Sequence, residues 1–322
     1  MTCTKCQHPD SKKFGTTAAK VQRFQCKACS ATFTAPRQNP LGRHTTPLDA
    51  TERAIALLLE GMSLRAVSRL TGLHKGTLSA LLLTVGIKCA DLFDARVRNV
   101  RTNFVQADEL WSFVWKKQKR VKADDPASFG DQYTWVALDS ETKLVLTYYV
   151  GKRDSDSAMT FMRDLSGRVT GRFQLSTDGF EAYPGAVEEY FGADVDFAQV
   201  IKNYAPVNTD GPDWFRPSSR VTSVTLRPIA GDPDETRIST SHVERLNLTL
   251  RMHNRRFTRL TNAFSKSLVH LRAAVALFMA YYNFCKVHQT LRVTPAMEAG
   301  LTDHVWSIQE LLTIESGEQQ AA

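Results

Sequence analysis

The sequence predicts a multidomain α/β protein in which a small cysteine ribbon and a helical module precede a mixed sheet flanked by helices. Three observations predict it: two Cys-x-x-Cys pairs near the N-terminus, apolar residues at helical spacing from Ala50, and strand-like alternation after Arg101. At 322 residues the chain has room for two or three domains of roughly 100–200 residues each.

Composition narrows the class. Hydrophobic residues make up 43% and charged residues 23%, close to globular averages. No charge-free apolar run reaches the roughly 18 residues of a membrane span, which predicts no membrane partner. The start Met1-Thr2-Cys3-Thr4-Lys5-Cys6 has no apolar core behind a basic segment, so a cytoplasmic location is expected. Cysteines there are expected as metal ligands rather than disulfides. The net charge of +8 is uneven: residues 1–103 hold 16 Lys and Arg against 6 Asp and Glu, and residues 245–292 hold nine against none. One basic stretch is commonly a solvated face, but two point to a polyanion such as nucleic acid.

Cys3-x-x-Cys6 and Cys26-x-x-Cys29 each have the knuckle spacing that lets two thiolates reach one tetrahedral zinc, and together they close its shell. Lys12, Lys13, Phe14, Lys20, Arg23 and Phe24 lie between the pairs and suit a ribbon that packs one face and offers the other to phosphate. A redox pair is the competing account. Cys89 and Cys285 are isolated and read as small buried apolar residues.

Residues 36–48 carry Pro36, Pro40, Gly42 and Pro47 and read as a linker after a ribbon at 1–40. Helices are expected through Ile55, Leu58 and Leu59, then from a Ser63 cap through Leu64, Val67 and Leu70, then after Gly72 from about His74. This helix, turn, helix rhythm over 48–101 suits a DNA-reading module, with Lys75, Thr77 and Ser79 at the exposed start of the third helix. An ordinary three-helix bundle has the same rhythm.

Strands are expected at Thr102–Ala107, Tyr133–Leu138, Leu144–Val150, Arg172–Thr177 and Val195–Ile201, with helices at 155–166 and about Glu181–Phe191. Asp108 is expected to close the first strand and Asp178 the fourth, bringing both to one edge of the sheet. Glu244 opens a helix in which Val243, Leu246 and Leu250 form a buried stripe while Glu244, Asn247 and Arg251 share another face. Three hard oxygen ligands suit two magnesium or manganese ions of the kind that promote phosphodiester chemistry. Each acid also has a structural account: Ser241 and Glu244 fit a capping box, Asp178-Gly179 a turn, and Asp108 a cap. Residues 205–240 hold five of the twelve prolines and read as a loop-rich insert, a flap over the site.

The stretches Asp108-Glu109-Leu110-Trp111-Ser112-Phe113-Val114, Ser176-Thr177-Asp178-Gly179 and His242-Val243-Glu244-Arg245-x-Asn247 resemble the three acidic motifs of bacterial insertion-sequence transposases, closest to the insertion-sequence-one type. Phe257–Lys266, Tyr281-Tyr282-Asn283 and His288 are similar to that family's C-terminal pattern. The resemblance implies a zinc ribbon, a helix-turn-helix and a ribonuclease H-like catalytic domain, here 102–300 followed by a tail at 301–322. It implies an Asp-Asp-Glu triad of Asp108, Asp178 and Glu244 holding two Mg2+ or Mn2+ ions, with structural Zn2+ on Cys3, Cys6, Cys26 and Cys29. Arg251 lies where related enzymes often contact the element end, and Arg255, Arg256 and Arg259 would track phosphates. The expected partners are double-stranded DNA and at least a second copy of the chain, in a bacterial cytoplasm at the nucleoid. A ribonuclease H-like nuclease without strand transfer, or a non-catalytic DNA-binding regulator, are the alternatives.

Overall fold

The computed structural model describes residues 1–18, 20–35, 40–42, 44–205, 220–259 and 261–314. Parts of the expected linker (36–39 and 43), insert (206–219) and tail (315–322) lie outside the described residues. The chain forms two compact units, Met1–Thr45 and Thr46–Ala322.

The first unit is a three-stranded antiparallel sheet of β1 (Ser11–Thr16), β2 (Gln22–Cys26) and β3 (Thr32–Thr34). Phe24 and Phe33 pair across β2 and β3 with ring centroids 6.1 Å apart. The two cysteine knuckles are the same turn made twice. Gln7 N donates to Cys3 O and Ser30 N to Cys26 O, and Gln7 and Ser30 both have positive φ, at 58° and 55°.

The second unit begins with α1 (Leu48–Leu59), α2 (Leu64–Thr71) and α3 (Lys75–Arg96). Ser63 caps α2 by accepting from Ala66 N at 3.2 Å, Gly72 ends it at φ 73°, and His74 Nδ1 caps α3 through Gly76 N. Ala54, Val67 and Leu78, one from each helix, form their shared core. The sheet expected at 102–300 folds in the same unit as these helices.

Next come β4 (Val100–Arg101), β5 (Phe104–Val114), β6 (Gly130–Asp139), β7 (Val145–Gly151), α4 (Ser155–Ser166), β8 (Val169–Thr170), β9 (Phe173–Asp178), α5 (Tyr183–Phe191), β10 (Val195–Ala205) and β11 (Arg220–Ala230). The chain closes with α6 (Ser241–His253), α7 (Leu268–Ala280), α8 (Pro295–Glu298) and α9 (Ile308–Thr313). The main sheet has the order β11-β10-β9-β5-β6-β7, with β5, β9 and β10 parallel and the other pairings antiparallel. Trp135 of β6 packs on Phe161 of α4 and Tyr183 of α5, each at 5.7 Å between ring centroids, which places those helices on one face. On the other face α6 lies against β5 and β6. Asn283, fully buried just after α7, exchanges hydrogen bonds with both backbone groups of Val145 and so covers the β7 edge.

Lys75–Arg96 and Leu268–Cys285 are long and apolar enough to cross a membrane by length and composition alone. Here they lie along each other. A Cβ on Gly86 of α3 would stand 2.6 Å from Ala273 Cβ of α7, and Ser79 Oγ meets His270 Nε2 at 2.7 Å. Cys89 of α3 is buried, as expected, whereas Cys285, expected to be buried, is only half-buried.

Three further expectations are corrected. Asp108 does not close its strand: β5 runs on to Val114, because Glu109–Val114 continues the alternation and pairs with β6 as far as Gly130. The insert at 205–240 is not wholly loop: β11 occupies Arg220–Ala230 and pairs with β10 throughout. Its Pro228 is tolerated because an edge strand leaves one side of its backbone unpaired. The capping box also fails. Helix α6 takes Thr240 as its N-cap, so Glu244 sits at the fourth helical position, and its carboxylate meets the Thr240 hydroxyl instead of closing a box with Ser241.

Candidate active site

The acidic residues meet where two parallel strands part company. β5 pairs with β9 only from Phe104 to Gln106, and β9 ends at Asp178 while β5 continues. The gap lies beyond the carboxyl end of β9, where open α/β sheets place their ligands. Gln199 of β10 fixes the turn after Asp178, donating to Asp178 O at 3.1 Å and Phe180 O at 3.2 Å.

Asp108 and Glu109 are consecutive in a strand and face opposite sides of the sheet. Asp108 is opposite Val136 and Glu109 opposite Trp135, so Glu109 shares the α4 and α5 face with that tryptophan. Even so, an oxygen from each of Asp108, Glu109 and Asp178 falls within 4.8 Å of the others. On the Glu109 side, the buried Tyr183 hydroxyl donates to Oε1 and Arg153 Nε donates to Oε2 at 3.0 Å. Arg153 Nη2 also donates to Asp178 Oδ2 at 3.0 Å, and Phe180 N donates to Asp178 Oδ1 at 3.0 Å.

On the Asp108 side the partner is α6. Gln106, two residues before Asp108 and on the same face, accepts from His242 N at 2.8 Å and Val243 N at 3.2 Å, which registers the helix on the strand. Val243, Leu246 and Leu250 form the buried stripe that was expected. Asn247 Nδ2 donates to Asp108 Oδ2 at 2.8 Å, while its Oδ1 is buried with no hydrogen-bond partner.

Glu244 stands outside the 4.8 Å cluster. Its side chain, 43% exposed, accepts from Lys202 and from Thr240 Oγ1 at 2.6 Å. It still acts on the centre by charge. Burial, then the charge of Asp178, then a smaller contribution from Glu244, push the Asp108 carboxyl up to about 6. Burial and Asp178 push Glu109 up to about 7. A bound cation would relieve both the crowding and the burial, so these carboxyls form a group that could hold a divalent ion. The oxygen set suits a hard ion such as magnesium or manganese.

The four cysteines Cys3, Cys6, Cys26 and Cys29 are all free thiols with sulfurs within 4.8 Å of one another. Cys3 and Cys29 are 3.6 Å apart and Cys6 and Cys26 3.5 Å, spacings that suit sulfurs at tetrahedral corners about 2.3 Å from a central zinc. Backbone amides hold Cys3 below the ordinary thiol range, to about 6, and Cys26 is lowered in the same way. That favours the thiolate, the metal-binding form, at these two sulfurs. Cys6, despite a backbone hydrogen bond that lowers it, is pushed up to about 12 by Cys29, burial and Cys26, as crowded thiols are when no cation shares their charge.

Of the residues expected at the start of α3, Lys75 is exposed and Thr77 half-buried, but Ser79 is turned inward onto His270. Its hydroxyl is engaged within the fold, because the helix face that carries it packs on α7. Arg255 and Arg259 are exposed, while Arg251 and Arg256 are half-buried. Burial draws Arg256 down to about 10 and also lowers Arg251, which keeps an attraction to Asp108. Sequence reasoning did not single out Glu109, Arg153, Tyr183 or Lys202. For Glu109 the signal was present but misleading, since alternation assigns it to the face away from Asp108. The others lie 44, 74 and 93 residues beyond Glu109, and nothing in their local sequence marks them.

No known protein family and no curated protein matches the sequence. Among solved structures the chain is similar to a piggyBac transposase synaptic complex with hairpin DNA, at 12% identity and a TM-score of 0.42, over 87% of this chain and 72% of that one. It is also similar to the Mos1 strand transfer complex, at 14% identity and a TM-score of 0.21, and to a Mos1 transposase paired-end complex with the left transposon end, at 13% and 0.20. Both Mos1 matches cover 48% of this chain, which spans 60% of those chains.

Proposed function

We propose that this chain is a DNA transposase of the insertion-sequence kind, which binds the ends of its own element and carries out divalent-metal-dependent cleavage and strand transfer. The observation that carries the reading is the convergence of Asp108, Glu109 and Asp178 at the parting of β5 and β9, with α6 laid over it by Gln106 and Asn247. In this reading Asp108 and Asp178 hold the catalytic Mg2+ or Mn2+, and Glu244 joins them on release from Lys202. Such ions supply an activated water or 3′-hydroxyl and stabilise the leaving oxygen. Asp178 is kept in place by the Phe180 amide, and Asp108 by Asn247. Arg251, Arg255, Arg256 and Arg259 lie in the acid-free stretch after Glu244 and would follow phosphates. The ribbon, with zinc on its four cysteines, and the α2–α3 pair as a helix-turn-helix would read the terminal repeats. Two ends brought together require at least two copies of the chain, acting at the nucleoid of a bacterial cytoplasm.

A ribonuclease H-like nuclease would use the same carboxylates but stop at hydrolysis. The test is movement of a marked element from a donor plasmid by the wild type and by Asp178→Asn, paired with nicking and strand transfer in vitro with magnesium. Movement and strand transfer by wild type alone support the transposase. Nicking without transfer supports the nuclease, and DNA binding without either supports a regulator.

A further inference from the structure

Among the described residues, Arg153 is the cation that bridges two carboxylates of the acidic centre, Glu109 through Nε and Asp178 through Nη2. Its place is prepared by the fold. The guanidinium lies over the Phe180 ring with its carbon 4.0 Å from the centroid, and the amide of that same Phe180 holds Asp178 Oδ1. Both oxygens of Asp178 are thereby occupied, one by the Phe180 amide and one by Arg153. Asp108 is different: its side chain meets the amide of Asn247, which is 4% exposed and whose Oδ1 is buried without a partner. A positive charge is thus seated on the Asp178 side, while an unsatisfied oxygen sits beside Asp108.

We propose that Arg153 is a positioning residue and the resident counter-ion of this centre, displaced from Asp178 when a divalent cation binds Asp108 and Asp178. This rests on the reading of those two residues as metal ligands. The chemistry is competition for one carboxylate. Two cations cannot both lie against Asp178 Oδ2 without repelling, and the guanidinium has somewhere to go, since Phe180 and Glu109 still hold it. Once freed, its Nη2 edge is at the rim of the site and can take a phosphate oxygen. Metal loading and capture of a DNA phosphate are then coupled through one side chain.

The test is Mn2+ titration of the full chain without DNA, followed by electron paramagnetic resonance, for wild type, Arg153→Gln, Arg153→Lys and Asp178→Asn. Removing the competitor should tighten binding in Arg153→Gln by about five- to tenfold, in the range of ordinary coupling between sites. Arg153→Lys, which keeps the charge but cannot span two carboxylates, should fall between, and Asp178→Asn should lose the site. A residue that only shaped the site would give the opposite sign. Mn2+ binding that Asp178→Asn abolishes but that both Arg153 variants leave unchanged or weaker overturns the role of Arg153 alone. Absence of binding in every variant overturns it together with the metal-ligand reading. Thermal melting of each variant reports folding, and Arg153→Lys carries the test if Arg153→Gln is unfolded.

Discussion

Replacing Asp108 with Asn should stabilise the protein without added divalent cation at alkaline pH and not at acid pH. The Asp108 carboxyl is raised from its usual 3.8 to about 6 by burial, by Asp178 and by Glu244. That gap of roughly two pH units, at about 1.4 kcal/mol each, makes the ionised side chain cost the fold about 3 kcal/mol. The folded state holds this proton more tightly than the unfolded chain. The stability linked to it is therefore complete below about pH 4 and is lost as the pH climbs through about 6. Asparagine has nearly the same shape, can accept the Asn247 hydrogen bond and does not titrate. The difference in unfolding free energy, variant minus wild type, should rise by about 3 kcal/mol between about pH 4 and pH 8. Glu109 is raised to about 7 by burial, by Asp178 and in part by Asp108 itself, so the neutral variant also relieves some of its cost, which adds to the rise with pH rather than opposing it. Urea denaturation followed by circular dichroism measures it, and millimolar Mn2+ should shrink it by restoring the wild type. A difference that is flat with pH, or that falls as pH rises, would refute the electrostatic account of the centre.

Gly86→Ala should destabilise by about 1–3 kcal/mol in urea melts, although helix propensity alone favours alanine by about 1 kcal/mol, because the added carbon meets Ala273 at 2.5–2.6 Å. Gln106→Leu leaves the first amides of α6 without their acceptor. It should cost about 2 kcal/mol and abolish nicking while every carboxylate remains in the chain. Cys26→Ser should reduce bound zinc, measured by mass spectrometry of the metal, from about one per chain to nearly none. Lys75→Ala should weaken DNA binding and lower its salt slope by about one, whereas Ser79→Ala should leave affinity unchanged and cost about 1 kcal/mol of stability.

The start of α3 and the boundaries of α2, α4 and β9 were legible because local chemistry sets them: a serine cap, a left-handed glycine, a run at helical spacing, and a strand ending at Asp-Gly. The four-cysteine cluster was legible for the same reason, since each pair is a local turn. Asp178 at a strand end and the buried stripe of α6 follow from periodicity. Illegible were β11, whose proline and polar residues read as loop until a neighbouring strand supplies its hydrogen bonds, and the inward turn of Ser79, which depends on α7 nearly two hundred residues later.

By itself the sequence determined the order of modules, the cysteine cluster and two of the carboxylates at the centre, because spacing and turn chemistry act within a few residues. Only the tertiary structure decided that Glu109 joins those carboxylates while Glu244 is held apart by Lys202, and that Arg153 bridges the centre from beyond β7. The reason is physical. Charge and burial act across space, so the company an acidic side chain keeps is set by which strands stop pairing and which helix is laid over the gap.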